Sequence, residues 1–256
     1  MRTLRIAAGR VRWEQKMYWR NPAAAGFTFA FPLMFLVVFT GINGNDRVDI
    51  TGGTVHFAQF FVPAIVAFGV ISACYTNLAI TLTFRREQGI LKRTRGTPIP
   101  PLAYLGGLVG NVVVISLILA GLTTVLGLVA YNVTFPSHYL GFVVTIAAGA
   151  FCFSSLGIAV STFVPNEDAA PAVINFAVFP LLFISGTFGR IEPGSTLDHI
   201  SGVFPIRHLN QLMESVFNPF IGGTGLIAGH IGVLVLWGVV GLGVALRRFR
   251  WKPRKA

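Results

Sequence analysis

Phe84–Pro101 reads FRREQGILKRTRGTPIPP and is the only strongly charged segment inside an otherwise apolar sequence. It contains one acid, Glu87, and uncharged runs of more than 25 residues flank it on both sides. A short basic segment between two lengths of chain that can each cross a bilayer lies at a membrane face, and basic residues favour the cytoplasmic face. We call this segment the basic island; its cations are Arg85, Arg86, Lys92, Arg93 and Arg95.

The composition of the whole chain predicts an integral membrane protein. Of its 256 residues, 54% are hydrophobic and only 11% are charged, and the mean hydropathy is +0.70. A soluble domain has about 25% charged residues. The net charge of +11 does not indicate nucleic-acid binding, because 17 of the 20 basic residues lie in three patches that flank apolar runs, at 2–20, 85–95 and 247–255. This pattern is typical of anchors that face anionic lipid.

Six apolar stretches have the length that a membrane-spanning helix needs, about 20 residues. Residues 96–166 contain no Asp, Glu, Lys or Arg, which is too long a run for one helix, and Asn132, Pro136 and Ser137 mark a turn within it. We therefore predict an all-α integral membrane protein, a single transmembrane domain over residues 1–256. The predicted spans are at about 23–42, 57–84, 102–131, 139–164, 169–188 and 226–246.

The distribution of basic residues predicts that both termini are cytoplasmic. With six spans, the segments 43–56, 132–138 and 189–224 then lie outside, and they hold only three basic residues. The other 17 lie inside, as the positive-inside rule expects. The three outer basic residues are Arg47, Arg190 and Arg207.

Residues 2–20 predict an amphipathic helix that lies on the cytoplasmic leaflet. At 100° per residue its basic side chains share an arc of about 80°, and Asn21-Pro22 ends the helix. A secretory signal fits poorly, because the basic region is long and no small-residue cleavage site follows the apolar run. The basic face has Arg2, Arg5, Arg12, Lys16 and Arg20, while Leu4, Val11, Tyr18 and Trp19 point away from it.

Motifs for chemistry are absent from the sequence. It has no GxxxxGK[ST] phosphate loop, no HExxH and no nucleophile elbow. The predicted span interiors contain no Asp, Glu, Lys or Arg, which argues against an ion-coupled transporter, an intramembrane protease or a transferase. Asp198, His199 and His208 suggest either a metal site or polar groups that solvate outer helices; we favour the second interpretation and expect no metal. Cys74 and Cys152 fall within spans and are expected to be packing residues.

Small and aromatic residues within the spans suggest packing and a second, functional interpretation. Gly106-x-x-x-Gly110 and Gly225-x-x-x-Gly229 have the spacing of close helix packing. On the fifth span, phenylalanines at helical spacing share one face. They are either core or lipid-facing side chains, or an apolar path for an amphipathic cargo. That face has Asn175, Phe176, Phe179 and Phe183.

Two stretches resemble a known family. Residues 179–192 read FPLLFISGTFGRIE, and residues 204–217 read FPIRHLNQLMESVF. Together they resemble the closing signature of ABC-type export permeases of the two-component, daunorubicin-resistance or nodulation-export kind. Gly189-Arg190 departs from the signature, where the family often has a proline. The matching positions are Pro180, Leu181, Phe183, Ser185, Gly186 and Phe188, followed by Pro205, Ile206 and His208.

The basic island is similar to the same family's cytoplasmic pattern of an acid, a Gly-Thr-Leu step, a charged pair and a Thr-Pro. Lys92 and Thr94 depart from it, since an acid and a leucine are common there. The matching positions are Glu87, Gly89, Leu91, Thr97 and Pro98.

The resemblance implies a transport subunit without enzymatic activity or a cofactor of its own. Two copies, or this chain and a paralogue, would pair with two ATPase subunits that bind ATP and Mg²⁺, in a bacterial cytoplasmic membrane. Residues 190–220 would form short outer helices that cap the exit path. The implied ATPase-coupling residues are Arg85, Arg86, Glu87, Gln88, Gly89, Leu91, Lys92, Arg93, Thr97 and Pro98. The implied substrate path has Asn175, Phe176, Phe179, Phe183, Ser185 and Gly186.

We therefore expect an ATP-driven exporter of an amphipathic small molecule, as in multidrug efflux, or of a lipid-like cargo. An exporter of a lipid-linked glycan remains an alternative, with Tyr75 or Tyr131 facing carbohydrate. An ion-coupled secondary transporter and a membrane scaffold are further alternatives from other classes.

Overall fold

The computed structural model describes residues 2–50, 52–134, 138–189, 191 and 194–253, with backbone alone at residues 2–4 and 24. Helices dominate this part of the chain, which confirms the prediction of an all-α membrane protein. The helices before the basic island are α1 (Arg2–Trp19), α2 (Pro22–Ile42), α3 (Phe57–Ile71), a π-helical turn (Ser72–Asn77) and α4 (Leu78–Glu87). After it come α5 (Ile90–Arg95), α6 (Pro101–Tyr131), α7 (Tyr139–Ser161), α8 (Ala170–Ile184), α9 (Thr196–Ser201), α10 (Pro205–Phe217) and α11 (Ala228–Arg248).

Five helices in the described residues are long and apolar enough to cross a membrane. They are α2, the continuous helix from α3 to α4, α6, α7 and α11. The predicted fifth span, 169–188, is the exception: α8 has 15 residues and ends at Ile184. Its length of about 22 Å is less than the roughly 30 Å hydrocarbon core. The helix stops there because Gly186 has a φ of +83°, which turns the chain.

The second span, Phe57–Glu87, is the central helix of the bundle and is almost entirely buried. It contacts α2, α6, α7 and α10. Its π-helical turn packs against Gly157 of α7. A Cβ on Gly157 would stand 2.9 Å from the Tyr75 carbonyl oxygen, so only glycine fits without moving a backbone. Cys74 and Cys152 are not in a disulfide and are fully buried, as expected for packing residues.

Helix α1 lies against α6, and glycines on α6 make room for it. A Cβ on Gly107 would clash with the Arg10 side chain, and one on Gly110 would stand 2.5 Å from Val11 Cγ2. Close packing at Gly106-x-x-x-Gly110 is therefore confirmed. As a helix-packing pair, Gly225 and Gly229 do not fit: Gly225 is closely packed, with a Cβ 3.1 Å from Val216 Cα, but lies in a turn before α11, and a Cβ on Gly229 would meet nothing within 4 Å.

The faces of α1 agree with the predicted amphipathic helix at most positions. Arg5, Arg12, Lys16 and Arg20 are exposed, and Val11 faces the protein. Trp19 was expected to point away from the basic face, but it is half-exposed. Its ring stacks on Phe29 of α2 with centroids 5.5 Å apart, so it fastens α1 to the first span.

The segment between the first two spans forms a β-hairpin that the sequence did not suggest. Strands β1 (Arg47–Ile50) and β2 (Gly53–His56) pair antiparallel, with Val48 opposite Val55. Phe220 packs against its turn, where a Cβ on Gly53 would meet the Phe220 ring at 2.7 Å. The hairpin thus lies beside the chain that follows α10, at the end of the bundle opposite the basic island. We call that end the outer end and the island end the cytoplasmic end, following the predicted topology.

Some sequence-based expectations fall on residues outside the described part of the chain. These are the turn at Pro136 and Ser137, the outer cation Arg190 with its signature departure, the side chains of Arg2 and Leu4, and the last basic residues, 254–255.

We expect Gly157→Ala to destabilise the protein by about 1–3 kcal/mol, because overpacking forces the backbones of α7 and the π-helical turn apart. Gly121→Ala is the matched control, since it lies in a spanning helix and a Cβ there meets nothing within 4 Å. Thermal unfolding in detergent, followed by size-exclusion chromatography, measures the difference. Equal midpoints for the two variants would show that this contact does not hold the bundle together.

Candidate functional site

The basic island begins inside a helix rather than after it. The second span was expected to end near residue 84, but α4 continues through Arg85 and Arg86 to Glu87. Cations in the last turn of a helix are favourable, because they face the partial negative charge of its free carbonyl groups. Gly89 then adopts a φ of +71° and starts the short helix α5. The basic island therefore consists of the end of α4, a turn at Gly89 and the short helix α5, all at the cytoplasmic end.

Arg85 joins the island to the first helix through a buried ion pair. Its Nη1 and Nη2 atoms donate to the two carboxylate oxygens of Glu14 at 2.8 and 2.6 Å. Arg85 Nη1 also donates to the Tyr104 hydroxyl at 3.2 Å. Arg10 Nε lies 3.0 Å from Glu14 Oε1, and its guanidinium group lies over the Tyr104 ring. We call these four residues the Glu14 cluster; its central carboxylate is 2% exposed.

Arg86 joins the island to the fourth span. It is buried, and its guanidinium group donates to the carbonyl oxygens of Ser161 at 2.7 Å and Val164 at 2.6 Å. Its Nε atom pairs with Glu87 at 2.6 Å. These carbonyls stand at and beyond the C-terminus of α7, so Arg86 caps that helix. A second link is weaker, from Gln88 Nε2 to Glu167 Oε2 at 3.3 Å.

The predicted ATPase-coupling residues thus separate into two groups. Arg85, Arg86 and Leu91 are tied into the fold, and Glu87 and Gly89 are partly buried at the turn. The other five members are exposed, and contact with an ATPase stays a prediction for all ten residues. The exposed group has Gln88, Lys92, Arg93, Thr97 and Pro98.

The end of the described chain reaches the same end of the bundle. The Trp251 ring lies 6.1 Å from the Tyr104 ring and 5.3 Å from the Phe249 ring. Trp251, Tyr104 and the Thr94–Pro101 segment line a cavity of about 370 Å³. Four parts of the sequence therefore meet at Tyr104: α1, the end of α4, the start of α6 and the residues after α11.

At the outer end, Ser185, Gly186 and Thr187 of the family signature form a hydrogen-bonded turn, which we call the polar bracket. Ser185 Oγ lies 3.0 Å from Thr187 Oγ1, across the turn at Gly186. Asn210 of α10 donates from Nδ2 to Thr187 Oγ1 at 2.7 Å. The next residue, Phe188, packs among the rings of the first two spans, including Phe35 at 5.4 Å. The signature therefore fixes the end of the fifth span to α10 and to the bundle.

The fifth-span residues assigned to a substrate path lie at the surface of this chain. Phe176 is 80% exposed and Phe183 is 67% exposed, while Phe179 is less so and Asn175 is half-buried. Such a face can contact lipid, a second subunit or a cargo. That these residues form a substrate path stays a prediction. Ser185 and Gly186 belong to the polar bracket described above.

The outer histidines and Asp198 have local partners. Asp198 pairs with Arg207, and the Gly194 N–H together with this guanidinium holds the pKa of Asp198 below its usual range. His199 contacts the Ser195 carbonyl at 2.9 Å, and His208 contacts His230 at 2.7 Å between their Nδ1 atoms. In the described residues, no group of three or more potential ligands is placed to hold a metal ion.

Sequence reasoning missed several residues on which these sites depend. Glu14 is the only acid in the basic first helix, and that isolation was a usable signal. Tyr104, Thr187 and Asn210 carried no comparable signal, because their partners lie on other helices.

Comparison with known proteins adds a family assignment to this geometry. The family model described as "ABC-2 type transporter" matches residues 11–218. The chain is similar to "Inner membrane transport permease YadH" of Escherichia coli K12, and equally to the proteins of that name from Escherichia coli O157:H7 and Shigella flexneri. Each is 27% identical over 156 residues, which cover 60% of this chain and 59% of the relative. The match thus spans less than two thirds of each relative's length.

We expect Glu14→Ala to destabilise the protein by about 3–5 kcal/mol, because it leaves the mostly buried Arg85 without its counter-charge. Thermal unfolding in lipid nanodiscs measures the loss, and proteolysis within residues 2–20 reports release of α1. Arg12→Ala is the control, since Arg12 is exposed on the same helix. If Glu14→Ala unfolds at the control's temperature, the ion pair contributes nothing to the fold.

Proposed function

The chain belongs to the ABC-2 type transporter family, and from this we propose that it is the membrane subunit of an ATP-driven exporter. The observation that carries the proposal is the family match over residues 11–218, supported by the multi-pass helical fold. The name of its relatives supports a location in the bacterial inner membrane. The subunit itself supplies the path, and nucleotide hydrolysis takes place on partner chains that bind ATP and Mg²⁺.

The ATPase subunits dock on the exposed side of the basic island. Lys92 and Arg93 project from α5 at the cytoplasmic end, where a soluble partner can reach them. Exposed cations steer and orient an acidic partner surface more than they add affinity. The cavity beside Trp251 gives the same surface a concave edge.

A displacement of the basic island by the ATPases moves several helices at once, because the buried residues of the island are bonded to those helices. Arg86 transmits it to the C-terminus of α7. Arg85 transmits it through Glu14 to α1, which lies on α6. Closure of the ATPases then tilts the second, third and fourth spans together and opens a path for the cargo.

A second subunit, identical or a paralogue, completes the path. The single chain leaves an apolar row exposed on α8, with Phe176 and Phe183, and another on α2, with Phe27 and Met34. Apolar rows of this kind can contact lipid or a partner helix. The short α8 favours the partner, since it is under-length for lipid on its own.

The cargo is an amphipathic small molecule, as in multidrug efflux, or a lipid-like molecule. A lipid-linked glycan is the second candidate, but its suggested contact Tyr75 is only 6% exposed and belongs to the core. Tyr131 is half-buried against the core.

The test of this function is reconstitution of the chain with a candidate ATPase subunit, in proteoliposomes with ATP on the cytoplasmic side. A fluorescent amphipathic dye should move against its gradient only when ATP is hydrolysed, and an ionophore should not stop it. Transport that persists without ATP and collapses with the ionophore would instead establish an ion-coupled transporter. Stable membrane insertion without binding any ATPase would support a scaffold.

We expect Lys92→Glu combined with Arg93→Glu to reduce ATPase binding by about tenfold or more, since like-charge contacts replace favourable ones. Co-purification and ATP-driven dye transport measure the loss. Arg12→Glu combined with Lys16→Glu is the charge-matched control on α1, where both residues are exposed. Unchanged co-purification of the island variant would reject this docking surface, while normal unfolding temperatures confirm that the fold is intact.

A further inference from the structure

The outer end contains an open cavity of about 780 Å³, lined by the hairpin, the start of the second span, the polar bracket, α10 and the start of α11. Its volume lies within the roughly 300–1,000 Å³ of small-molecule sites. Among the residues that line the cavity, only Ser185 and Gly186 were predicted from the sequence to lie on a substrate path.

Helix α10 gives the cavity its polar wall. At 100° per residue, four polar side chains of this helix fall within an arc of about 100°, and they line the cavity together with Asn218, the residue that follows the helix. The opposite face packs into the core and includes Leu209, Leu212 and Met213, none of which is exposed. The polar arc has Arg207, Asn210, Gln211 and Glu214.

The chemistry of this wall favours a hydroxyl-rich ligand. Arg207 is already paired with Asp198 and bonded to Ser201, and the Asp49 and Glu214 carboxylates also face the cavity, so an anion is disfavoured. Amides and carboxylates side by side suit hydroxyl groups, which both donate and accept hydrogen bonds. Phe60 and Pro63 supply an apolar side, which suits the C–H face of a sugar ring.

Two polar atoms of the wall residues have bonding capacity left. Asn210 Oδ1 and Ser215 Oγ are buried and have no hydrogen-bond partner within the described chain. Buried polar groups are almost always bonded, so a ligand group that reached these two atoms would satisfy them. Gln59 differs, because Thr134 and the Phe217 carbonyl engage both ends of its amide, so it is a fixed part of the wall.

We propose that this outer cavity binds the hydroxyl-rich group of an amphipathic molecule, such as a sugar or polyol moiety. That the molecule is the exported cargo rests on the proposed function; the binding site itself does not. When an amphipathic cargo leaves the bilayer, its polar end binds α10 in place of water, while its apolar end still contacts the spanning helices.

Photo-cross-linking in lipid nanodiscs tests the site without ATP or ATPase. Three probes share an octyl chain with a diazirine and differ in the head: glucoside, trimethylammonium or sulfate. The glucoside should label peptides covering 205–218 preferentially, and free octyl glucoside should compete. Gln211→Leu should lower this labelling by about tenfold, the effect of roughly one lost hydrogen bond. His199→Leu is the control, since His199 is exposed on α9 outside the cavity.

Any of the next three outcomes would overturn the proposal that the cavity binds a hydroxyl-rich group. Equal labelling by all three heads would make the cavity an unselective vestibule, and preference for trimethylammonium would make it a cation site. Labelling that Gln211→Leu leaves unchanged would place the glucoside elsewhere. Because the assay uses no nucleotide, selective labelling in a protein that fails ATP-driven transport would reject the export function and retain the site.

Discussion

The buried carboxylate of Glu14 is the constraint around which the cytoplasmic end is organised. Taking a charge out of water is costly unless it is paired and fully hydrogen-bonded. Glu14 meets that requirement only if α1 and α4 come together, because Arg85 lies on α4, and Tyr104 of α6 in turn accepts a hydrogen bond from Arg85. Close packing at Gly107 and Gly110 places α1 against α6. The ion pair adds the link to α4.

Arg86, the next residue after Arg85, is also a buried cation that is paired and hydrogen-bonded, but its bonds are to a different helix. It neutralises the free carbonyls at the end of α7, which in an apolar environment have few other partners. Arg85 and Arg86 therefore point to different helices from adjacent positions of one helical turn. The island's inner side is structural for this reason, and only its outer side is open to a partner. A segment that is both anchored inward and exposed outward can pass a mechanical load into the bundle.

Local sequence properties predicted a large part of this fold. Five of the six spans, the first helix and the position of the island follow from apolar runs and charge placement, which are local. The short α8 was not predicted, because its end depends on the φ of one glycine rather than on hydropathy. Glu14 and Arg85 are 71 residues apart and Asn210 and Thr187 are 23 apart, and such pairings leave no periodic trace. The hairpin escaped prediction because its strands are only four residues each.

The two ends of the bundle differ in how they are held. At the cytoplasmic end, charged groups are paired and buried between helices, so separating them is costly. At the outer end, α10 packs its apolar face into the core and is held by neutral hydrogen bonds such as Asn210 to Thr187 and by the partly exposed Arg207–Asp198 pair, and its polar face lies beside a cavity of about 780 Å³. Neutral bonds contribute only about 0.5–1.5 kcal/mol each. The contacts of Arg85 and Arg86 therefore join α1, α4 and α7 at the cytoplasmic end, while α10 at the outer end borders open space on its polar face.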